Sequence, residues 1–256
     1  MEDDELAVQK ELADKLIAAL TTGGFVLYAQ QILPIAGSKD RPYQEVLVRF
    51  KEEEEKLLPP GTFFPILEEY RLLPYVDRWV VSHLTQWIME KRSDKPDWPV
   101  PANGINLSGD TLREMTFSDF TAKHVKNARM PEGTFAFEIA WDTALVRIEQ
   151  LVDLQAQLKP EGCRFTLAGF DGSDASFEFL RAARPDFVKL TYGSVKDIDR
   201  ALAASEKVET INEKCHAMGI QTIAEYVESV GVLEQLRLIG VDFAQGLAIA
   251  PPRQLE

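Results

Sequence analysis

The chain has little that would tie it to a membrane, a nucleic acid or an oxidising compartment. Only two of its 256 residues are cysteines, Cys163 and Cys215. That number builds no disulfide framework and fits a reducing compartment, so a cytoplasmic location is expected. No apolar run approaches the ~20 residues that a membrane span needs. No basic segment followed by an apolar stretch opens the chain, so no secretory leader is expected. Positive charge is in deficit: 28 Lys and Arg stand against 41 Asp and Glu, a formal net charge of -13. Such a chain is a poor partner for DNA, RNA or an anionic membrane, and a small anionic ligand would need a local cationic spot. The three histidines, His83, His124 and His216, show no metal-ligand spacing.

What is present is an apolar content of 45%, enough for one large core. Residues 5–20 read as a helix, with Val8, Leu12, Leu16, Ala19 and Leu20 on one face, and Gly23-Gly24 ends it. Strands are predicted over 25–33 and 45–50. A loop carrying the acidic run 52–55 follows, its charges read as a solvated face. Helical patterns cover 62–72 and 76–90. Strands at 104–108, 135–140, 164–170, 187–192, 221–227 and 242–246 then alternate with helices, among them 144–157, 177–183, 232–238 and a long one over 194–218.

This alternation predicts a parallel sheet under helical cover, and about eight strands over this length favour a closed (β/α)8 barrel, which takes roughly 250 residues. In such barrels the active site lies at the carboxyl ends of the strands. The polar residues near those ends are Glu45, Asn106, Glu138, Lys189, Glu225 and Gln245, each on a different predicted strand. One charged residue at a strand end is usually a satisfied rim residue, whereas six converging on one mouth would be a site.

Read in order, these positions resemble the EAL family of cyclic-di-GMP phosphodiesterases over essentially the whole chain. The Glu-Ala-Leu motif stands as Glu45-Val46-Leu47, followed by Arg49. The Asn-Leu-Ser motif stands as Asn106-Leu107-Ser108, and Glu-Leu-Thr-Glu as Glu138-Ile139-Ala140-Trp141. Lys-Ile-Asp is Lys189-Leu190-Thr191, and Ala-Glu-Gly-Val-Glu is Ala224-Glu225-Tyr226-Val227-Glu228. Tyr28-Ala29-Gln30 matches the early Tyr-x-Gln stretch, and Gln245-Gly246 with Pro252 matches the end. The resemblance implies a TIM-like barrel with an antiparallel first strand, a lead helix over 1–22 and a single barrel domain over 23–256. In catalytic relatives it implies two divalent cations that activate water against a phosphodiester. By match, Glu45, Asn106 and Glu138 are metal positions, Lys189 orients the water, and Glu225 and Gln245 serve the second metal.

The chain departs from that pattern where the metals are held. The family's Asp-Asp-Phe-Gly stands here as Ala168-Gly169-Phe170-Asp171, so neither central position carries a side-chain oxygen. Trp141 replaces a glutamate and Thr191 an aspartate. Without shared neutralising charge, two close cations repel each other. The catalytic residues Lys189, Glu225 and Gln245 and the metal positions Glu45, Asn106 and Glu138 are therefore read as vestigial. Lys189 is then free to pair with the glutamates as a closed polar cluster. No cofactor is expected, and magnesium or manganese only if residual phosphodiesterase activity exists. Asp171 and Asp174, after the fifth strand of the family's count, are read as turn and capping residues.

The ligand-binding positions implied by the resemblance survive: Gln30, Glu45, Leu47, Arg49, Glu225 and Pro252. Arg49 either grips a phosphate or pairs with the glutamates of 52–55. Tyr226, in place of a glycine, either stacks on a guanine or plugs the mouth, and Trp141 carries the same choice with packing favoured. The first functional expectation is a non-catalytic cyclic-di-GMP receptor. The second is a domain that binds a regulatory protein and no nucleotide, and the third a weakly active phosphodiesterase. A homodimer through the region 194–218 is a further expectation.

Overall fold

The computed structural model describes residues 2–35, 37, 41–51 and 57–256, with side chains from residue 9 onward. Val8 and the acidic run 52–55 fall outside the described side chains. Eight strands close into a barrel: β1 (Phe25–Pro34), β2 (Tyr43–Lys51), β4 (Ala102–Asn106), β5 (Phe135–Ala140), β6 (Arg164–Phe170), β7 (Phe187–Leu190), β8 (Gln221–Ala224) and β9 (Phe243–Ala244). Strands β2 and β4 to β9 run parallel around the ring. The first strand is antiparallel to both its neighbours, pairing Gln30 with Glu45 on one side and Leu33 with Ala244 on the other. Two short additions were not legible in the sequence: β3 (Leu57–Leu58) beside β2, and β10 (Arg253–Gln254) beside β1.

The barrel interior is built in layers by the two-residue period of the strands. Ile32, Tyr43, Ala136, Phe187, Ile223 and Phe243 form a buried apolar layer. The rings of Tyr43, Phe187 and Phe243 lie with centroids 5.6 to 5.9 Å apart. Two residues onward on each parallel strand come Glu45, Glu138, Lys189, Glu225 and Gln245. On the reversed first strand, Gln30 lies two residues before Ile32. The same periodicity that fills the barrel with aromatic rings thus raises a polar layer above them, at the carboxyl ends.

Helices cover the outside. They are α1 (Glu2–Thr22), α2 (Pro60–Glu69), α3 (Leu73–Asp94), α4 (Phe117–Asn127), α5 (Trp141–Val146), α6 (Ile148–Leu158), α7 (Asp174–Ala183), α8 (Tyr192–Val195), α9 (Leu202–Ala217) and α10 (Val230–Ile239). Ala13, Leu16 and Ala19 bury one face of α1 against the barrel's core cluster. Two expected helices prove to be broken. The helix read over 144–157 is interrupted at Arg147, whose backbone leaves the helical region (φ -134, ψ 33); its guanidinium lies 3.7 Å from Asp110. The long helix read over 194–218 is two pieces. A turn between α8 and α9, closed by the Arg200 and Ala201 N–H groups on the Asp197 carbonyl, separates them, and Val195 and Ile198 are both buried beside it. Strand ends were also overread: β7 and β8 stop at Leu190 and Ala224, so Glu225 stands in the loop just past its strand.

Candidate functional site

Lys189 is the centre of the polar layer. It is fully buried on β7, and its ammonium lies 2.7 Å from Glu138 Oε2, 2.8 Å from Glu45 Oε2 and 3.4 Å from Glu225 Oε1. Glu45 Oε2 also accepts a hydrogen bond from Gln245 Nε2 (2.7 Å), and Glu45 Oε1 accepts one from Asn106 Nδ2 (2.8 Å). Gln245 Nε2 further donates to Gln30 Oε1 (3.1 Å), and Gln30 Nε2 donates to the Ala250 carbonyl (3.0 Å). All six strand-end residues named from the sequence, with Gln30, therefore meet in one network.

Charge in this network is shared unevenly. Burial pushes the Glu138 carboxyl up to about 8, helped by the nearby charges of Glu45 and Glu225 and opposed by Lys189. Burial also raises Glu225, again against the pull of Lys189. Glu45 goes the other way: burial would raise it, but Lys189 and three hydrogen bonds hold it below the usual carboxylate range. For Lys189 itself burial disfavours the charge, yet Glu138, Glu45 and Glu225 outweigh it and keep the ammonium protonated far into alkali. One cation thus neutralises one carboxylate firmly while burial keeps another protonated near neutral pH.

Could this site hold divalent cations? Glu45, Glu138 and Glu225 bring carboxylate oxygens within 4.8 Å of one another, the arrangement one cation would need. The Lys189 ammonium stands among those oxygens. At the end of β6, Ala168 and Gly169 line the mouth and supply no carboxylate or other side-chain oxygen. A β-bulge falls between Ala168 and Phe170, and Gly169 adopts φ +90, a conformation open to glycine and strained for other residues. Asp171 is turned to local work: its Oδ1 accepts from the Ser173 N–H (3.0 Å) and the Ser176 hydroxyl (2.6 Å). Asp174 is solvent-exposed in the first turn of α7. These residues do not fit a pair of divalent cations.

Above the network the mouth is open. A cavity of about 820 Å³ is lined by residues including Glu45, Asn106, Glu138, Thr191, Glu225 and Tyr226. A second, of about 370 Å³, shares Glu45, Glu225 and Tyr226 with it and adds Gln30, Leu47, Gln245 and Pro252. Arg49 is not at either. It stands on the same face of β2 as Glu45 and Leu47 but further out, at a flanking cavity of about 460 Å³ that also takes in Leu47 and Asn106. There it donates to the Val48 carbonyl (2.9 Å) and lies over the Tyr28 ring.

The two aromatic replacements behave differently. Trp141 makes edge contacts with Phe170 (5.4 Å) and Phe179 (5.0 Å). Tyr226 is 58% exposed at the rim, edge-on to Tyr192 at 5.7 Å, and its backbone sits at φ 57. A non-glycine residue pays roughly 1 kcal/mol or more to stay there. Next to it, a side chain at Gly246 would collide with the Val227 backbone, so the glycine of Gln245-Gly246 is what lets the last strand close against that turn.

One residue of this region was not singled out in the sequence. Asp77, on α3, is buried at the flanking cavity, where its Oδ2 accepts from the Ser108 N–H (2.9 Å) and the Thr111 hydroxyl (2.6 Å). Burial pushes its carboxyl up to about 6 against the pull of those hydrogen bonds. An acid among the apolar residues of an amphipathic helix (Val76-Asp77-Arg78-Trp79-Val80) is the signal that could have found it.

The EAL domain family model matches residues 13–252. The cyclic di-GMP phosphodiesterase PdeB of Shewanella oneidensis is 30% identical over 256 residues, covering 99% of this chain and 30% of that protein. The cyclic di-GMP phosphodiesterase PdeF of Escherichia coli is 28% identical over 257 residues, covering 97% of this chain and 33% of that protein. The chain thus spans about a third of the length of these curated relatives. Among solved structures, the FimX EAL domain of Xanthomonas citri in complex with c-di-GMP superposes with a TM-score of 0.91 at 22% identity, covering 98% of this chain and 96% of that one. The c-di-GMP-bound FimX EAL domain of Pseudomonas aeruginosa follows at 0.87 and 23%, covering 96% and 97%. At these identities the likeness is one of fold.

Proposed function

The chain belongs to the EAL domain family, and we propose that within it this domain is a cyclic-di-GMP receptor that holds its ligand without hydrolysing it. The observation that carries the reading is the Lys189 ammonium within 3.4 Å of three carboxylates. The centre of the mouth is neutralised by the protein's own cation, while Ala168 and Gly169 supply no oxygen for a shared metal. Hydrolysis by paired cations has no support from this set of side chains.

Binding has support of a different kind. The joined cavities at the mouth keep Gln30, Glu45, Leu47, Tyr226 and Pro252 on one surface. Tyr226 offers an exposed ring for a base, and Arg49 offers a guanidinium beside the mouth in a chain otherwise short of positive charge. No helix among the described residues is long and apolar enough to cross a membrane. Several relatives are named cyclic di-GMP phosphodiesterases, and two neighbours of similar fold carry c-di-GMP. The competing reading, a protein-binding domain with a plugged mouth, loses one of its supports because Trp141 packs on Phe170 and Phe179 and does not fill the cavity.

Calorimetric titration with cyclic-di-GMP, with and without magnesium, followed by chromatography for linear product, tests the proposal. Saturable binding with no product in either condition is expected, and Arg49→Ala weakens it at least tenfold while the barrel stays folded. Linear product that requires magnesium would overturn the receptor reading. The absence of any binding heat would return the search to protein partners.

A further inference from the structure

The barrel has a second cavity, of about 280 Å³, at the end opposite the mouth. Its lining residues open the strands: Tyr43 begins β2, Ala102 β4, Arg164 β6, Phe187 β7, Gln221 β8 and Phe243 β9. The apolar layer of the barrel separates it from the Lys189 network.

Two arginines face one point in it. A Cβ built on Gly133 would stand 3.0 Å from Arg164 Nε and 3.4 Å from Arg41 Nη2. Both guanidiniums therefore crowd the same glycine, and both arginines line the cavity. Arg41 Nη2 is buried and donates to no acceptor. Burial, and then the charge of Arg164, pull the Arg41 guanidinium below its ordinary pKa, with Glu132 acting the other way. Among the described residues neither arginine forms an ion pair; Arg164 has only the Phe187 ring beneath it, at 5.9 Å.

This is costly as bare structure. Two like charges lie side by side with a buried N–H unspent, in a chain whose net charge of -13 offers many carboxylates to pair with. Two guanidiniums on one cavity wall offer several N–H donors to an oxyanion with several acceptor oxygens. The remaining polar lining is the Gln221 amide and the Glu132 carboxylate, a single negative charge against the two arginines, and Phe187 and Phe243 give an apolar wall beside the charged one.

We propose that the amino end of the barrel binds a phosphate-type oxyanion between Arg41 and Arg164, with the aromatic wall taking any small apolar substituent on it. The source is free phosphate or a phosphate monoester, and the two are told apart by the probes. The full chain is melted in phosphate-free buffer at constant ionic strength, with inorganic phosphate, phenyl phosphate or chloride added. Phosphate is expected to raise the melting temperature saturably above the chloride control. Phenyl phosphate acts at lower concentration if the aromatic wall is used, and at the same concentration if only the free anion is recognised. In Arg41→Gln and Arg164→Gln the half-saturating concentration rises at least tenfold, whereas cyclic-di-GMP titrations at the mouth are unchanged. Each variant removes one of two like charges, so without phosphate it melts at or above the parent. Should a variant lose its cooperative melt, the phosphorus-31 line width of inorganic phosphate with the parent protein, and its reversal by phenyl phosphate, decides instead. No stabilisation beyond chloride in the parent, or stabilisation that survives in the double variant, overturns the proposal.

Discussion

Replacing Lys189 by methionine would keep an unbranched side chain one atom shorter and remove the one cation at the centre of the mouth. At an effective dielectric of ~20, the Lys189 and Glu45 charges 2.8 Å apart attract by roughly 6 kcal/mol, while Glu138 at 2.7 Å, raised to about 8, is largely a neutral hydrogen-bonding partner near pH 7. Most of that is offset by the cost of burying the charges, and the glutamates can take up protons once the cation is gone. The net loss from removing one member of a buried ion cluster is about 3–5 kcal/mol. For a chain of this size that is a fall in Tm of roughly 6 to 15 °C. The loss should depend on pH. In the parent, Glu45 is held low by Lys189, so its contribution is present above about 4.5 and is lost as pH falls through its lower folded value. Glu138, raised to about 8, contributes fully below about 4.5 and loses that contribution as pH rises through 8. Without the ammonium, Glu45 joins Glu138 and Glu225 in the second class. The gap between parent and Lys189→Met is therefore widest at pH 8 and above and narrows toward pH 4.5. Adding Glu138→Gln to the variant should recover part of the loss, because one of the stranded carboxylates is gone. Calorimetric melts of the parent and both variants from pH 4.5 to 9 measure this. Equal stability at pH 8, or a gap that does not change with pH, would refute the claim that Lys189 is the counter-ion of the cluster.

Three further outcomes follow from the same geometry. Tyr226→Gly removes a left-handed tyrosine that is mostly exposed, so stability should hold or rise by about 1 kcal/mol; nucleotide affinity, measured by titration, should fall by roughly 5- to 150-fold if the ring stacks on a base, and unchanged affinity would remove that role. Asp77→Asn keeps an oxygen for the Ser108 N–H and the Thr111 hydroxyl while removing a carboxyl raised from 3.8 to about 6. The parent should lose up to about 3 kcal/mol of stability as pH rises from 4 through 6, and the variant should not, leaving it the more stable above pH 6; parallel pH profiles would contradict this. Ala168→Asp adds a carboxylate beside the Glu45, Glu138 and Glu225 cluster, so the metal-free variant should melt lower than the parent and gain more from manganese. Equal responses of the two proteins to manganese would mean that the Lys189 ammonium still excludes the cation. Gly169→Asp is the poorer restoration, because its backbone stands at φ +90.

Much of the barrel was legible before any coordinates. Apolar strands alternating with amphipathic helices require a sheet covered by helices, and a two-residue period carries Tyr43 to Glu45, Phe187 to Lys189 and Phe243 to Gln245 on one face of each strand. The order of residues alone is therefore enough to raise these polar side chains above the aromatic layer, and to leave Ala168 and Gly169 without a side-chain oxygen beside them. Local pattern was less able to place breaks. The turn at Arg147 and the one between α8 and α9 lie inside stretches of good helical periodicity, and each is decided by where the neighbouring side chains find burial or an ion pair.

Only the tertiary structure decided how the gathered charges are divided. Lys189 lies more than forty residues from the nearest of Glu45 and Glu138 along the chain, and its ion pairs depend on the closing of the ring, which no window of sequence contains. It also decided that Arg49 stands beside the mouth and not in it, that Trp141 packs on Phe170 and Phe179, and that Arg41 and Arg164 meet at the far end beside a glycine. The reason is the same in each case. Periodicity specifies the face a side chain takes from its own strand, whereas desolvation and Coulomb energy depend on what the other strands bring to that point.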